Sequence, residues 1–239
     1  MNIIEKIKAK QNDMQANPAV TIAFLGDSVT HGSFEPKRTA TNCISPVYSS
    51  THAYSTHLQE LLHFLYPSVQ INIINSGICG DNAVRGAERL ERDVLRYQPD
   101  LAVISYGLND CTRGLENISD YTTALADMFN SLQKAGVETI FMTENMMNTY
   151  VEFSMQDPLL VQVAQELIPL EKDGILKAYF EAAKDMAAQH GVKVCDCYAK
   201  WRTLYEAGVD VTRLLTINHP VREMTWLFAY SLLETLFQD

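Results

Sequence analysis

The 239-residue sequence has no uninterrupted stretch of 18 apolar residues, so no segment reads as a membrane-spanning helix. Its longest candidate, 226–233, is short and carries Tyr230 and Ser231. Positive charge is also scarce. Nineteen Lys and Arg stand against 29 Asp and Glu, a formal net charge of −10. Phosphate backbones and anionic lipid surfaces are bound by clustered cations, so neither nucleic acid nor membrane is an expected partner. The first residues, MNIIEKIKAKQNDMQ, put charges into a helical period and lack the apolar core of an export signal, which gives a cytoplasmic expectation. Cysteine is sparse and odd in number, at five. Without an export signal these read as free thiols. Cys195 and Cys197 form a C-x-C pair, but no further Cys or His pair completes a zinc tetrahedron. No metal or cofactor is therefore expected. Glycine- and serine-rich linkers, repeats and low-complexity tracts are likewise missing, so the whole chain, 1–239, reads as one domain.

What is present is a 47% apolar composition and a regular alternation of elements. Such a chain buries roughly 70–75% of its unfolded surface and needs no disulfide to hold a core. Short β-rich runs occur at 19–25 (AVTIAFL), 69–74 (VQINII), 101–105 (LAVIS), 137–143 and 192–195. Between them lie helical periods at 54–65, 83–97, 121–135 and 170–190, with a last one at 222–237 and an N-terminal helix within 1–18. In 83–97, residues Glu88, Arg89, Glu91, Arg92 and Asp93 read as a solvated face. Two stretches break the pattern, 33–51 and 144–169, and read as irregular, pocket-shaping insertions. The first is polar. The second carries Met146, Met147, Tyr150, Phe153 and Met155, which fit either core packing or an apolar wall. Five strands alternating with helices predict an α/β fold, a three-layer α/β/α sandwich around a five-stranded parallel sheet.

In such sheets ligands lie beyond the carboxyl ends of the strands, and candidate chemistry collects there. The first strand ends in Gly26-Asp27-Ser28-Val29-Thr30, which exposes a serine on a tight turn. The second ends in Asn75-Ser76-Gly77-Ile78-Cys79-Gly80, where glycine allows a backbone N–H to face a ligand. The third ends in Gly107-Leu108-Asn109-Asp110, whose amide is either a donor to developing charge or an Asx turn. Asn218-His219-Pro220 precedes the last helix. His31 stands near the serine turn, His52, His57 and His63 fall around the first long helix, and His190 reads as a cation at a helix C-terminus.

Taken together, FLGDSVTHG (24–32), NSGICGDNA (75–83), YGLND (106–110) and NHP (218–220) resemble the four blocks of the SGNH (GDSL) hydrolase family. The resemblance runs through nearly the whole chain and implies a flavodoxin-like fold. It implies Ser28 as nucleophile and His219 as general base. The oxyanion hole would be the N–H groups of Ser28 and Gly80 with the side-chain amide of Asn109. Asp27 reads as a structural acceptor in its turn. The family usually carries aspartate three residues before the histidine, whereas this chain has Thr216. Three groups are open as orienters of the base: Thr216 itself, Glu223 one helical turn after His219, and Asp210 in the preceding loop. The implied activity is hydrolysis of carboxylic esters through an acyl-enzyme, with a short-chain ester of a small carbohydrate as the leading substrate. A lysophospholipase or thioesterase on longer chains, and a non-catalytic ligand-binding protein on the same fold, are the alternatives. The oligomeric state is not legible.

Overall fold

The computed structural model describes residues 2–41 and 43–238. Helix α1 (Ile3–Asn12) is started by a capping box, in which Asn2 and Glu5 satisfy each other's backbone N–H groups. Strand β1 (Val20–Gly26) leads into the one-turn helix α2 (Ser28–His31). Next come a hairpin of β2 (Ser33–Arg38) and β3 (Ile44–Tyr48), helix α3 (Tyr54–Leu65), strand β4 (Ile71–Gly77) and helix α4 (Ala83–Asp93). They are followed by β5 (Leu101–Ser105), α5 (Ile118–Lys134) and β6 (Glu138–Thr143). The chain continues through α6 (Pro158–Lys172), α7 (Ile175–Gln189), β7 (Lys193–Asp196) and α8 (Cys197–Glu206). It closes with the short strands β8 (Leu215–Thr216) and β9 (His219–Pro220) and helix α9 (Thr225–Phe237).

The expected five-stranded parallel sheet is present, in the order β4-β1-β5-β6-β7. Helices α1, α3 and α9 pack together on one face, and α4, α5 and α7 on the other. The three layers follow from composition. Every residue of β5 is buried, and so are six of the seven in β1, so both faces of these strands must be covered by apolar helix surface. The chain moves from β1 outward to β4, then crosses back to β5. The strand order thus reverses between β1 and β5, and the crevice at their carboxyl ends is the natural binding site of this architecture. Among the described residues no helix is long and apolar enough to cross a membrane.

Several expectations need correction. The stretch 144–169 is not irregular throughout, because α6 occupies its second half. Asp157 caps that helix by accepting the Leu159 N–H at 2.9 Å, and Pro158 takes the first position, where its missing N–H does no harm. Pro169 lies in its last turn. The helix expected over 170–190 is two helices, separated at Gly174 (φ +75°). The stretch 33–51 contains the β2–β3 hairpin, bulged near Glu35 and tied to the C-terminal loop by the Arg222–Glu35 ion pair. Helix α8 was not foreseen, and the last helix starts at Thr225 after a single turn over Arg222–Met224.

Arg89 is not on a solvated face. It is buried and donates to Asp81 Oδ2 (2.8 Å), Ser76 O (2.6 Å), Gly26 O (3.0 Å) and Tyr106 Oη (2.9 Å), clamping the ends of β1 and β4 together. A charged residue in a charged helical window looks solvated until a buried carboxylate stands opposite it. Met146 and Met147 are core, while Phe153 is exposed. The thiols are free, with Cys195 and Cys197 Sγ 3.7 Å apart.

Candidate active site

Ser28 begins α2 directly after β1, and the turn holding it is too tight for any residue but glycine at position 26. A Cβ there would stand 2.2 Å from Thr30 Oγ1 and 2.6 Å from the Ser105 carbonyl oxygen. Gly77, ending β4, is required in the same way, since a Cβ would lie 2.2 Å from the His31 nitrogen. The helix turn is buttressed from every side. Asp27 Oδ1 accepts the Val29 N–H (2.9 Å), as expected of a turn acceptor. Asn75 Nδ2 donates to the Thr30 carbonyl (2.7 Å), and Thr30 Oγ1 lies 2.8 Å from Tyr54 Oη. As the first residue of α2, Ser28 keeps its backbone N–H among the helix's unpaired donors.

Gly80 lies in the turn 78–81, closed by the Asp81 N–H to the Ile78 carbonyl at 3.1 Å. Its φ of +74° favours glycine, and a Cβ would meet nothing within 4 Å, so the site is open on that side. Asn109 follows β5. Its amide Nδ2 donates to Asp27 Oδ2 at 2.9 Å and to the Asp81 carbonyl at 2.8 Å. Both amide protons are therefore engaged, and the side chain caps no turn. Ser28, Gly80 and Asn109 thus surround the switch point between β1 and β5.

His219 stands in β9, opposite Thr216 of β8 in a two-residue hairpin whose Ile217 has φ +61°. Strand β9 packs against α2. The loop is latched to the sheet, because Asn145 Nδ2 donates to the Asn218 carbonyl at 2.8 Å. Both ring nitrogens of His219 are buried without a hydrogen-bond partner among the described residues. Burial pushes its pKa down to about 4, so the imidazole is neutral at neutral pH. Ser28 and His219 are not hydrogen-bonded in this state; catalytic bonds of this kind often tighten only around substrate.

None of the three candidate orienters bonds to His219. Thr216 is its cross-strand neighbour, Glu223 is exposed, and Asp210 accepts from Tyr150 Oη at 2.7 Å and pairs with Arg213 at 3.5 Å. Of the other histidines, His31 stacks on Tyr48, His57 on Trp226, and His190 Nδ1 lies 2.9 Å from the Met186 carbonyl at its helix end.

Under the site lies a group of buried carboxyls. Asp110 Oδ1 accepts the Ala83 N–H at 3.0 Å and ties the third block to the start of α4. Burial, with Asp27 and Asp81 nearby, raises the Asp110 pKa to about 7. An acid whose folded pKa exceeds its unfolded value stabilises the native state at low pH, and this contribution is lost as pH rises from about 4 to about 7. Asp110→Asn removes that dependence. Urea unfolding should show the variant gaining on wild type by about 2–3 kcal/mol between pH 5 and pH 8. A constant difference across that range would mean that Asp110 is ionised throughout.

Glu144 and Asn145, directly after β6, were not singled out from the sequence. The rule that points to strand ends applies to them equally, since Glu144 Oε2 accepts the Leu108 N–H (3.1 Å) next to Asn109.

Residues 24–220 match the GDSL-like Lipase/Acylhydrolase family, a span that includes all four blocks. The chain belongs to that family. It is accordingly a hydrolase of carboxylic esters. Among curated proteins it is similar to an acetylxylan esterase of Geobacillus stearothermophilus, at 28% identity over 165 residues, covering 61% of this chain and 67% of that one. Among solved structures it is similar to a catalytic mutant of the Geobacillus stearothermophilus acetylxylan esterase Axe2 (18% identity, 93% and 97% of the two chains, TM-score 0.69). It is also similar to LAE5, an alpha/beta hydrolase from the metagenome of Lake Arreo, Spain (16% identity, 92% and 96%, TM-score 0.65). At these identities the structural likeness speaks for the fold.

Proposed function

We propose that the enzyme removes short acyl groups, acetyl foremost, from a small carbohydrate through an acyl-enzyme on Ser28. The observation that carries this reading is the convergence of Ser28, Gly80 and Asn109 at the strand-order reversal, with the His219 hairpin packed on α2. Ser28 Oγ attacks the ester carbonyl carbon while His219 takes the hydroxyl proton. Charge collects on the former carbonyl oxygen, which receives the N–H groups of Ser28 and Gly80 and one N–H of Asn109 as that amide gives up an acceptor. Collapse expels the sugar alkoxide, which takes the proton from His219 and leaves acyl-Ser28. Water, deprotonated by His219, then attacks the acyl carbon and restores the serine.

Two observations support a carbohydrate leaving group. The curated relative is named for acetylxylan, and a cleft of about 550 Å³ runs beside the His219 hairpin. That volume falls within the usual range of small-molecule sites. Gln156, Arg213 and Thr216 offer it hydrogen-bonding groups, and Met155, Leu160 and Leu215 offer apolar contact. The same apolar residues favour the second reading, a longer acyl chain. Comparison of p-nitrophenyl acetate, octanoate and palmitate separates the two. Acetate should exceed octanoate at least tenfold in kcat/KM, and acetylated xylo-oligosaccharides should release acetate. A preference for octanoate or palmitate would replace the carbohydrate reading by the lipid one.

A further inference from the structure

We propose that Glu144 is a positioning residue for Asn109 and acts through the carboxyl of Asp27. The inference rests on the oxyanion role given to Asn109 above. Glu144 is fully buried at the carboxyl end of β6. Its Oε2 holds the Leu108 N–H, one residue before Asn109. Its Oε1 receives no N–H or hydroxyl from the rest of the described protein, and after burial the neighbouring Asp27 carboxyl is what raises its pKa most. Asp27, equally buried, already accepts Val29 N–H on one oxygen and Asn109 Nδ2 on the other.

Two carboxyls in contact, away from water, cannot both be charged. Among the described residues no cation forms an ion pair with either carboxyl. The ionisable groups that act on the pair include Asp81, Asp110, Tyr54, Tyr106, Tyr121, Cys79 and Cys111, all acidic or neutral. The Arg89 guanidinium is spent on Asp81, Asp93 and backbone carbonyls. One proton is therefore shared. Burial and the neighbouring negative charge raise both acids above the ordinary carboxyl range, Glu144 the further, so the pair holds one proton between its two carboxyls.

This arrangement has two effects on Asn109. The Leu108 bond fixes its backbone, and the Asp27 bond fixes its side chain, so a single carboxyl governs both. The shared proton also spreads the charge on Asp27. A fully ionised Asp27 would grip the Asn109 amide in a charge-assisted bond. With its charge shared, Asp27 yields one amide N–H more readily when an oxyanion develops. The sequence neighbours Thr143 and Asn145 do other work, Thr143 bonding Asp196 and Asn145 the His219 loop.

A double-mutant cycle on p-nitrophenyl acetate hydrolysis tests this. N109A alone should lower kcat by about 100-fold or more. E144Q, whose amide retains a donor for Asp27 and an acceptor for Leu108 N–H, should keep at least about a third of wild-type kcat. E144L should lose about 30-fold in kcat with KM within twofold, and in the N109A background the same substitution should cost less than about threefold. If E144L fails to fold, judged by circular dichroism and thermal melting, E144D takes its place under the same criteria, because its shorter side chain cannot reach both Leu108 and Asp27. Equal losses in E144Q and E144L, or an effect that multiplies with N109A, overturns the proposal while leaving the oxyanion reading intact. An N109A enzyme with wild-type kcat overturns both.

Discussion

Ser28→Ala is expected to lower kcat on p-nitrophenyl acetate by at least about 10⁴-fold while the protein stays folded. The size of the effect follows from the chemistry. In the proposed mechanism no covalent intermediate forms without the hydroxyl, and what remains is the proposed oxyanion hole acting on attack by water. The fold should tolerate the change, because alanine suits the first turn of a helix and the α2 turn is held by Asp27, Asn75, Tyr54 and Gly26 rather than by the serine hydroxyl. Labelling by a fluorophosphonate at neutral pH gives an independent check. Wild type should react and Ser28→Ala should not. A variant that retained tenfold or more of the expected residual rate, together with labelling elsewhere, would place the nucleophile at another residue.

Thr216→Asp is expected to raise kcat at least tenfold and to move the acid limb of the pH profile upward. In β8 and β9, residues 216 and 219 stand directly opposite each other, so their side chains share a face at a Cβ separation of roughly 4.5–5.5 Å. A carboxylate at 216 is within reach of the His219 ring. In the proposed mechanism the His219 imidazolium formed during turnover has no counter-charge, and the ring's pKa of about 4 reflects burial without a partner among the described residues. The free enzyme should hold kcat/KM nearly level from pH 7 to pH 5 and lose it only as pH falls through about 4. A neighbouring carboxylate favours the charged ring and brings the limb back toward the ordinary histidine value near 6.5. In serine proteases the loss of this carboxylate costs roughly 10⁴ in turnover, so a partial recovery by its installation is a measurable effect. An acid limb that stayed near pH 4 would show that position 216 does not act on the imidazole.

The threonine at 216, where the family usually has aspartate, leaves the ring of His219 without a partner among the described residues. Its loop is positioned from behind by Asn145 on the Asn218 carbonyl rather than by a carboxylate on the ring. Neither Glu223 nor Asp210 fills that role, because one faces solvent and the other serves Tyr150 and Arg213. Local sequence proximity made both plausible. A helix turn and a hairpin direct side chains by their own geometry, and proximity of a few residues does not bring two groups to one face.

The order of strands and helices was legible because burial on both faces of a parallel sheet demands continuous apolar runs, and amphipathic helices demand a 3.6-residue period. The four motifs were legible for a related reason. Gly26 and Gly77 are forced, because a Cβ would lie 2.2 Å from the Thr30 hydroxyl and from the His31 nitrogen, and Ser28 and Asn109 stand at strand ends, where any α/β sheet puts its chemistry. The insertions were less so. The stretch 144–169 reads as irregular, yet α6 fills its second half, with Pro169 in the final turn, where little helix follows it.

Pairings distant in sequence belong to the tertiary structure alone. Arg89 reaches Gly26 across 63 residues, Asn109 reaches Asp27 across 82, and Asn145 reaches Asn218 across 73. Hydrophobic periodicity reports which face of an element is buried, but it carries no information on which polar group meets which inside the protein. The raised pKa values of Asp27 and Glu144, the occupied amide of Asn109 and the buried ring of His219 all arise at such meetings. Sequence could place the proposed reacting groups at the edge of the sheet. Only the packing of the layers determined their charge and their partners.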